Sequence, residues 1–417
     1  MIRALIGPFV PQTLKNIFHA ASSFFAACVF GFPARKMRIV GVTGTDGKTT
    51  TVQCLSAILI EAGHRVAVAS SVNFRRGEEE WVNTSKFTTL SAWKLERFLR
   101  EAVSSGCEYA VLEVSSHAID QGRILGISFD IAVITNVTRE HLDYHHTLEV
   151  YRSVKKKLLQ RAKKAVVNLD MDRPHEFLAA NPGHSITYSR LDGAADVFAE
   201  KIASSLSGST FTVEDTVFRI ALPGMFNVEN ALAAIATATA LGISRDVSSS
   251  ALRKISGVPG RMEFVPNDRG LTILIDYAVT PNALENLYRL VSEMRLPASA
   301  KIIAVFGACG DRDRGKRPLM GEIVSSVADI VLLTNEDPYT EDPQQIVEEV
   351  RAGISNKILG KTLFILFDRR DAIRKALSLA SLGDIVVVTG KGSEETMAVG
   401  DARIPWNDKR VILEELQ

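Results

Sequence analysis

Apolar and polar positions change period several times along the chain. Met37 to Val42 is a short apolar run that reads as a buried strand, followed by a Gly/Thr-rich loop. From Thr49 to Ala62 apolar residues return at helical spacing, which predicts a strand–loop–helix unit. Further strands are predicted at Tyr109 to Val114, Asp130 to Thr135 and Val166 to Leu169. Between Asp196 and Leu222 the alternation tightens to strand periodicity, predicting a small antiparallel insert, and Asn227 to Leu241 is alanine-rich and helical. A turn cluster, Gly257-Val258-Pro259-Gly260, then separates a second run. That run has strands at Thr272 to Asp276, Lys301 to Phe306, Ile330 to Thr334, Thr362 to Leu366 and Asp384 to Thr389. Strands alternating with helices predict an α/β fold with largely parallel sheets.

The N-terminal region, residues 1–37, has its own pattern. Ile17 to Phe32 is apolar but carries His19 and serines, and falls short of the roughly 20 apolar residues of a spanning helix. A basic start and small residues also fit a signal peptide. A helix docked on the following domain is the preferred reading, because a strand begins at Arg38; membrane contact is not favoured.

Composition narrows the class. Hydrophobic residues are 46% and charged residues 23%, as in a soluble enzyme, and a net charge of +1 gives no global field for nucleic acid or an acidic membrane. Lys155-Lys156-Lys157, with Arg161, Lys163 and Lys164, reads as a solvated helix face. Cys28, Cys54, Cys107 and Cys309 are scattered without metal-like spacing, which points to buried free thiols in a reducing, cytoplasmic compartment.

The loop after the first strand carries chemistry. In Gly41-Val42-Thr43-Gly44-Thr45-Asp46-Gly47-Lys48-Thr49-Thr50, glycines let backbone amides approach phosphate oxygens and the following helix adds positive potential. Gly44, Thr45, Gly47, Lys48, Thr49 and Thr50 would cradle ATP, Lys48 neutralising the terminal phosphates and Thr49 ligating Mg²⁺. The domains predicted are therefore a central P-loop-type ATPase domain at 38–257 and a C-terminal Rossmann-like domain at 258–417.

The GTDGKTT form is similar to the phosphate loop of the Mur ligase family, with Asp46 in place of the usual Asn. Glu113-Val114-Ser115-Ser116-His117-Ala118, continuing to Arg123, and Thr135 to His145 resemble segments of that family's third-residue ligases, the UDP-MurNAc-tripeptide synthetases. Phe226-Asn227-Val228, Gly260 to Glu263, Asp276-Tyr277-Ala278, Gly310 to Pro318 and Gly390-Lys391-Gly392 follow in family order. The resemblance implies an ATP- and Mg²⁺-dependent ligase adding a free amino acid to a nucleotide-sugar peptide through an acyl phosphate, in cell-wall synthesis.

Residue by residue, the resemblance and the local chemistry stand side by side. Glu113, at a strand end beside the loop, is placed for Mg²⁺. His141 is a further metal ligand or a structural histidine. Lys155 matches a lysine that the family carbamoylates near the metal. Asn227 and Asn230 imply adenine contact, although a helix cap explains Asn227 equally. Arg261 would reach the terminal phosphate and Asp276 the ribose; an interdomain ion pair is the alternative. Ser115, Gln121 and Arg123 match acceptor contacts, with Asn83-Thr84 or Thr88-Thr89 as a further element. Ser115-Ser116-His117 is not read as a catalytic triad.

Several positions depart from the family. Only about 37 residues precede the first strand, so the usual uridine-binding domain is expected to be missing. Val279 stands where the family has His, and Ser393 replaces another His, while Gly390 and Glu394 are retained for the incoming amine. Glu336-Asp337-Pro338-Tyr339 replaces an Asp-Asn-Pro-Arg whose Arg pairs with diaminopimelate. Tyr339 cannot form that pair, so diaminopimelate is disfavoured and Glu336 with Asp337 suit lysine or ornithine. The alternatives are a folylpolyglutamate- or cyanophycin-type ligase, an ordinary P-loop ATPase, or a non-catalytic nucleotide-binding regulator.

Overall fold

The structure is a computed structural model that describes residues 11–417. Two sheets organise it. The first takes β1 (Arg38–Thr43), β2 (Val66–Ala69), β3 (Asn73–Arg76), β4 (Glu79–Val82), β5 (Tyr109–Glu113) and β6 (Phe129–Ile134). It continues through β7 (Ala162–Asn168), β8 (Ser185–Ser189), β9 (Val197–Ser205), β10 (Gly208–Val213) and β11 (Thr216–Ile220). Their order is β11-β10-β9-β8-β7-β6-β1-β5-β2-β3-β4. Pairs from β2 to β9 are parallel, and only the two edges are antiparallel.

The expected antiparallel insert is present as β9, β10 and β11. β9 hydrogen-bonds in parallel to β8 through Tyr188 and Ser189, so the insert extends the main sheet. The strand expected at Val166 to Leu169 begins earlier, at Ala162, because Ala162 already pairs with Phe129. On the opposite edge, β3 and β4 were not expected; β3 puts a single buried residue, Phe74, between half-exposed neighbours, so its sequence lacks an apolar run.

The second sheet contains β12 (Glu263–Val265), β13 (Thr272–Asp276), β14 (Ile302–Phe306), β15 (Ile330–Leu333), β16 (Leu363–Ile365) and β17 (Ile385–Thr389), ordered β12-β13-β17-β14-β15-β16. A hairpin of β18 (Thr396–Val399) and β19 (Ala402–Pro405) follows. Both sheets are covered on both faces. Val40 and Val42 of β1 pack into one core and Ile39 into the other, while Val387 and Val386 of β17 divide the second sheet's cores likewise. Strands buried on both sides read as continuous apolar runs, which is why these strands were legible.

The helix Gln12–Phe30 docks beside the helix Ala92–Ser104 through Ser23, Ala26 and Ala27, as the sequence led one to expect. Among the described residues no helix is long and apolar enough to cross a membrane. Of the cysteines, Cys54 and Cys107 are buried, Cys309 is half-buried and Cys28 is exposed; all are free.

Candidate active site

In open parallel sheets, ligands sit beyond the carboxyl ends of the strands. Here both sheets direct those ends at one cavity of about 520 Å³. The phosphate loop follows β1, Glu113 ends β5, Asp276 ends β13, Cys309 follows β14, Glu336 follows β15 and Glu394 follows β17, and all these segments line it.

The loop runs into the helix Lys48–Glu61, whose first amides face the cavity mouth. Gly47 has φ 81°, and a Cβ there would lie 2.1 Å from Asn230 Oδ1, so a side chain is excluded twice over. Lys48 Nζ donates to the Gly44 and Thr45 carbonyls at 3.2 and 2.7 Å. The Thr49 hydroxyl donates to Glu113 Oε2 at 3.1 Å and accepts from Arg261 Nη2 at 3.3 Å. Three residues from the loop, from β5 and from the second unit therefore meet at one oxygen. Arg261 also lies over the Tyr277 ring, 4.4 Å from its centre.

Asn227 and Asn230 are buried on the cavity wall. The capping reading of Asn227 is corrected: the helix starts at Met225 after Gly224, and Asn227 Nδ2 donates to the Pro223 carbonyl at 2.8 Å from inside the first turn. Asp276 accepts the Met262 amide at 2.8 Å; burial raises its pKa, against the pull of Arg261.

Lys155 corrects a second expectation. It is 1% exposed, not solvated, with Nζ donating to the Gly44 carbonyl at 2.7 Å and lying 4.4 Å from the Tyr151 ring centre. Burial, helped by the charge of Lys48, pushes its pKa well below the usual lysine range. The helix Leu148–Gln160 turns this residue inward, while Lys163 and Lys164 belong to β7 and are exposed.

His141 sits at φ 57°, with Nδ1 buried and unbonded and its ring 4.7 Å from that of His117. Burial drives its pKa well below the usual histidine value, so the ring is neutral. Among the described residues no three His, Cys, Asp or Glu side chains form a ready-made metal cluster. A hydroxyl, Thr49, and one buried carboxylate, Glu113, do fit Mg²⁺, which takes few protein oxygens and completes its shell with water and phosphate.

Ser115, Gln121 and Arg123 lie off the cavity wall. Ser115 caps the helix Ser116–Asp120 by accepting the Ala118 amide, Gln121 ends that helix, and Arg123 donates to the Thr89 carbonyl at 3.0 Å. Thr89 donates to the Glu113 carbonyl at 2.9 Å, so this segment is tied to the end of β5.

At the far end, Asp337 accepts from Lys86 at 2.6 Å, from Lys391 at 2.9 Å and from the Ala398 amide. Lys391 also pairs with Glu394, and Lys86 reaches Glu394 at 3.1 Å. Glu336 Oε1 accepts the Cys309 thiol at 2.9 Å; its Oε2 is buried and unbonded, and burial raises its pKa. Gly390, at φ 108°, lies against Glu336, and Arg312 covers the Tyr339 ring at 5.4 Å.

Residues 42–238 match the Mur ligase middle domain, and residues 260–392 match the model described as Mur ligase, glutamate ligase domain. A UDP-N-acetylmuramyl-tripeptide synthetase of Roseiflexus sp. (strain RS-1) is 42% identical over 92% of this chain and 79% of its own length. The chain belongs to the Mur ligase family. Its relatives also include a UDP-N-acetylmuramoyl-L-alanyl-D-glutamate–2,6-diaminopimelate ligase of Syntrophomonas wolfei, 37% identical over 95% of this chain and 82% of that protein. A solved ligase of that same name is 33% identical, with TM-score 0.63 over 98% of this chain and 83% of its own. A Mycobacterium tuberculosis folylpolyglutamate synthase complexed with ADP shares the fold, with TM-score 0.70 at 18% identity over 91% of this chain and 92% of that one.

Sequence reading missed the contacts that join the two halves of this Mur ligase. Lys316 Nζ pairs with Glu140 at 2.9 and 3.1 Å, both buried. Asp46 accepts from Thr280 Oγ1 at 3.1 Å and from Asn282 Nδ2 at 3.0 Å, at the N-terminus of the helix Pro281–Glu293. Lys86 lies between Asn83-Thr84 and Thr88-Thr89, the two candidate acceptor elements, but was not itself singled out. Asp46 did carry a signal, as the one loop residue unlike its family, but its partners lie more than 230 positions away.

Proposed function

We propose that this Mur ligase joins a free amino acid to the peptide carboxylate of a UDP-MurNAc-dipeptide-like acceptor, at the third-residue step of peptidoglycan precursor synthesis, in the cytoplasm. The convergence of Glu113 and Arg261 on the Thr49 hydroxyl carries the reading, because it brings a phosphate loop, a carboxylate and a cation from the other lobe together.

The units 38–257 and 258–417 act as lobes around ATP. Lys48 neutralises the terminal phosphates, Asn227 and Asn230 face the adenine, and Asp276 holds the ribose. Thr49 and Glu113 would hold Mg²⁺, with neutral His141 as a further donor, and the ion would offset phosphate charge. An acceptor carboxylate oxygen attacks the γ-phosphorus and ADP leaves. The amine then attacks the acyl carbon, expelling phosphate and losing a proton. Positioning and charge supply the catalysis. Arg261 completes the charge as the lobes close, which also shields the intermediate from water.

Ser115, Gln121 and Arg123 hold the acceptor; Glu336, Asp337, Tyr339, Gly390 and Glu394 form the amino-acid end. The charge of Asp337 is already matched by Lys86 and Lys391. The unbonded oxygen of Glu336 is then the spare acceptor, and it favours an amino acid with a cationic side chain. Purified protein given ATP, a UDP-MurNAc-dipeptide and single amino acids tests this by product mass. Lysine or ornithine should be incorporated faster than diaminopimelate, and a clear preference for diaminopimelate would overturn the selectivity.

A further inference from the structure

The helix Gln12–Phe30 is inverted relative to an ordinary surface helix. Its inward face is small and polar: Ser23 donates to the Arg123 carbonyl at 3.0 Å, Asn16 to Asp120 Oδ2 at 2.9 Å, and Ala20 lies against Gly122. Its outward face is apolar. Leu14, Ile17, Phe18, Phe24, Phe25 and Val29 are each 55–64% exposed, at the three- and four-residue spacing that puts them on one side of a helix. The rim is aromatic, since Phe25 and Phe30 each meet the Trp93 ring edge-on at about 6 Å, and Trp93 is itself 41% exposed.

Charge says what covers this face. The first 45 residues contain no Asp or Glu but carry Arg3, Lys15, Arg35, Lys36 and Arg38. Arg35 and Lys36 are exposed just past the helix, with Arg35 over the Phe32 ring at 4.3 Å. Arg100 follows Trp93 along the same side of the neighbouring helix and is exposed, while Arg97 between them is paired with Glu101 at 2.8 Å. Two copies meeting face to face would bring these cations together. An anionic lipid surface would neutralise them, and aromatic rims suit the headgroup level.

We propose that the outward face of the helix Gln12–Phe30 is a docking surface for an anionic lipid bilayer, lying in the plane of the interface without crossing it. The inference stands apart from the ligase reading. Its consequence for that reading is placement, because the helix is bonded directly to the Asp120–Arg123 segment. A docked molecule holds that segment close to the membrane.

Flotation of the full chain with vesicles tests the proposal. Vesicles of equal parts phosphatidylglycerol and phosphatidylcholine should carry the protein, phosphatidylcholine alone should carry much less, and added salt should release it. Phe24→Ser with Phe25→Ser should weaken binding at least ~10-fold while the thermal transition and solution ligase rate are unchanged. Arg35→Glu with Lys36→Glu should weaken binding to the anionic vesicles alone. The proposal is overturned if the unaltered protein stays with the buffer fraction or if the Phe pair floats equally well. It is overturned equally if sedimentation shows a dimer that the Phe pair dissociates while neither vesicle binds, which would make a second copy the occupant.

Discussion

Lys155 is a lysine that burial has made a poor cation. Its Nζ donates to the Gly44 carbonyl of the phosphate loop, and burial with the nearby charge of Lys48 lowers its pKa, raising the share of neutral amine. We propose that this amine takes up CO₂ as the carbamate that the family resemblance implies, because the neutral amine is the form that reacts. Carbon-13 NMR after incubation with labelled bicarbonate should show a carbamate resonance that Lys155→Ala removes; an unchanged spectrum would contradict that role. The same variant should lower ligation by about 10²-fold or more, measured as product per unit time. Charge pattern alone placed Lys155 in a basic run with Lys156 and Lys157; only the family resemblance singled it out, and burial separates it from them in the structure. The positions of Lys48 and Thr49 were legible because a loop flanked by strand and helix fixes them locally, and that of Glu113 because it ends an apolar strand.

At the scale of elements, the helix Ala92–Ser104 buries Glu96 with neither carboxylate oxygen hydrogen-bonded. Burial pushes its pKa up to about 7. A carboxyl that ionises later in the folded protein than in the unfolded chain stabilises the fold at low pH. That contribution is complete below about 4.5 and fades as pH rises through about 7. Glu96→Gln should therefore gain about 2 kcal/mol relative to the parent at pH 8 and nearly nothing at pH 4. Urea unfolding at the two pH values measures it, and an equal gain at both would refute the ionisation argument. Nothing in the sequence distinguished Glu96 from an exposed helix acid, since the cover comes from Ala27 and Gly126, far off along the chain. The central strands, by contrast, were readable as apolar runs, whereas β3 and the edge strand β4 hold only one buried residue, Phe74, and left no such trace.

The whole molecule is two largely parallel sheets with their carboxyl ends together, joined by ionic and polar pairs and by Phe226, which packs against the second unit's apolar core. Lys316 with Glu140 is buried, and removal of one partner leaves the other charge unpaired, at a cost of about 3–5 kcal/mol. Lys316→Ala should open the lobes, seen as a larger radius of gyration in solution scattering, and raise KM for the amino acid more than for ATP. Asp46→Ala should act in the same direction but more weakly, by about 1 kcal/mol, since it removes hydrogen bonds to Thr280 and Asn282 without stranding a charge. These pairings were invisible in the sequence because each joins residues more than 170 positions apart. The two-unit plan was visible, because the turn at Gly257 to Gly260 and two separate strand–helix runs mark it locally.

The central claim is that closure of two lobes on ATP lets an activated carboxylate meet an amine. The most direct test is ADP release followed alongside product mass, with the UDP-MurNAc-dipeptide and the amino acid supplied together and separately. The account predicts rapid ADP release and a new amide only when both are present, and neither with Lys48→Ala. Amide formation that survives Lys48→Ala, or ADP release indifferent to the acceptor, would contradict it.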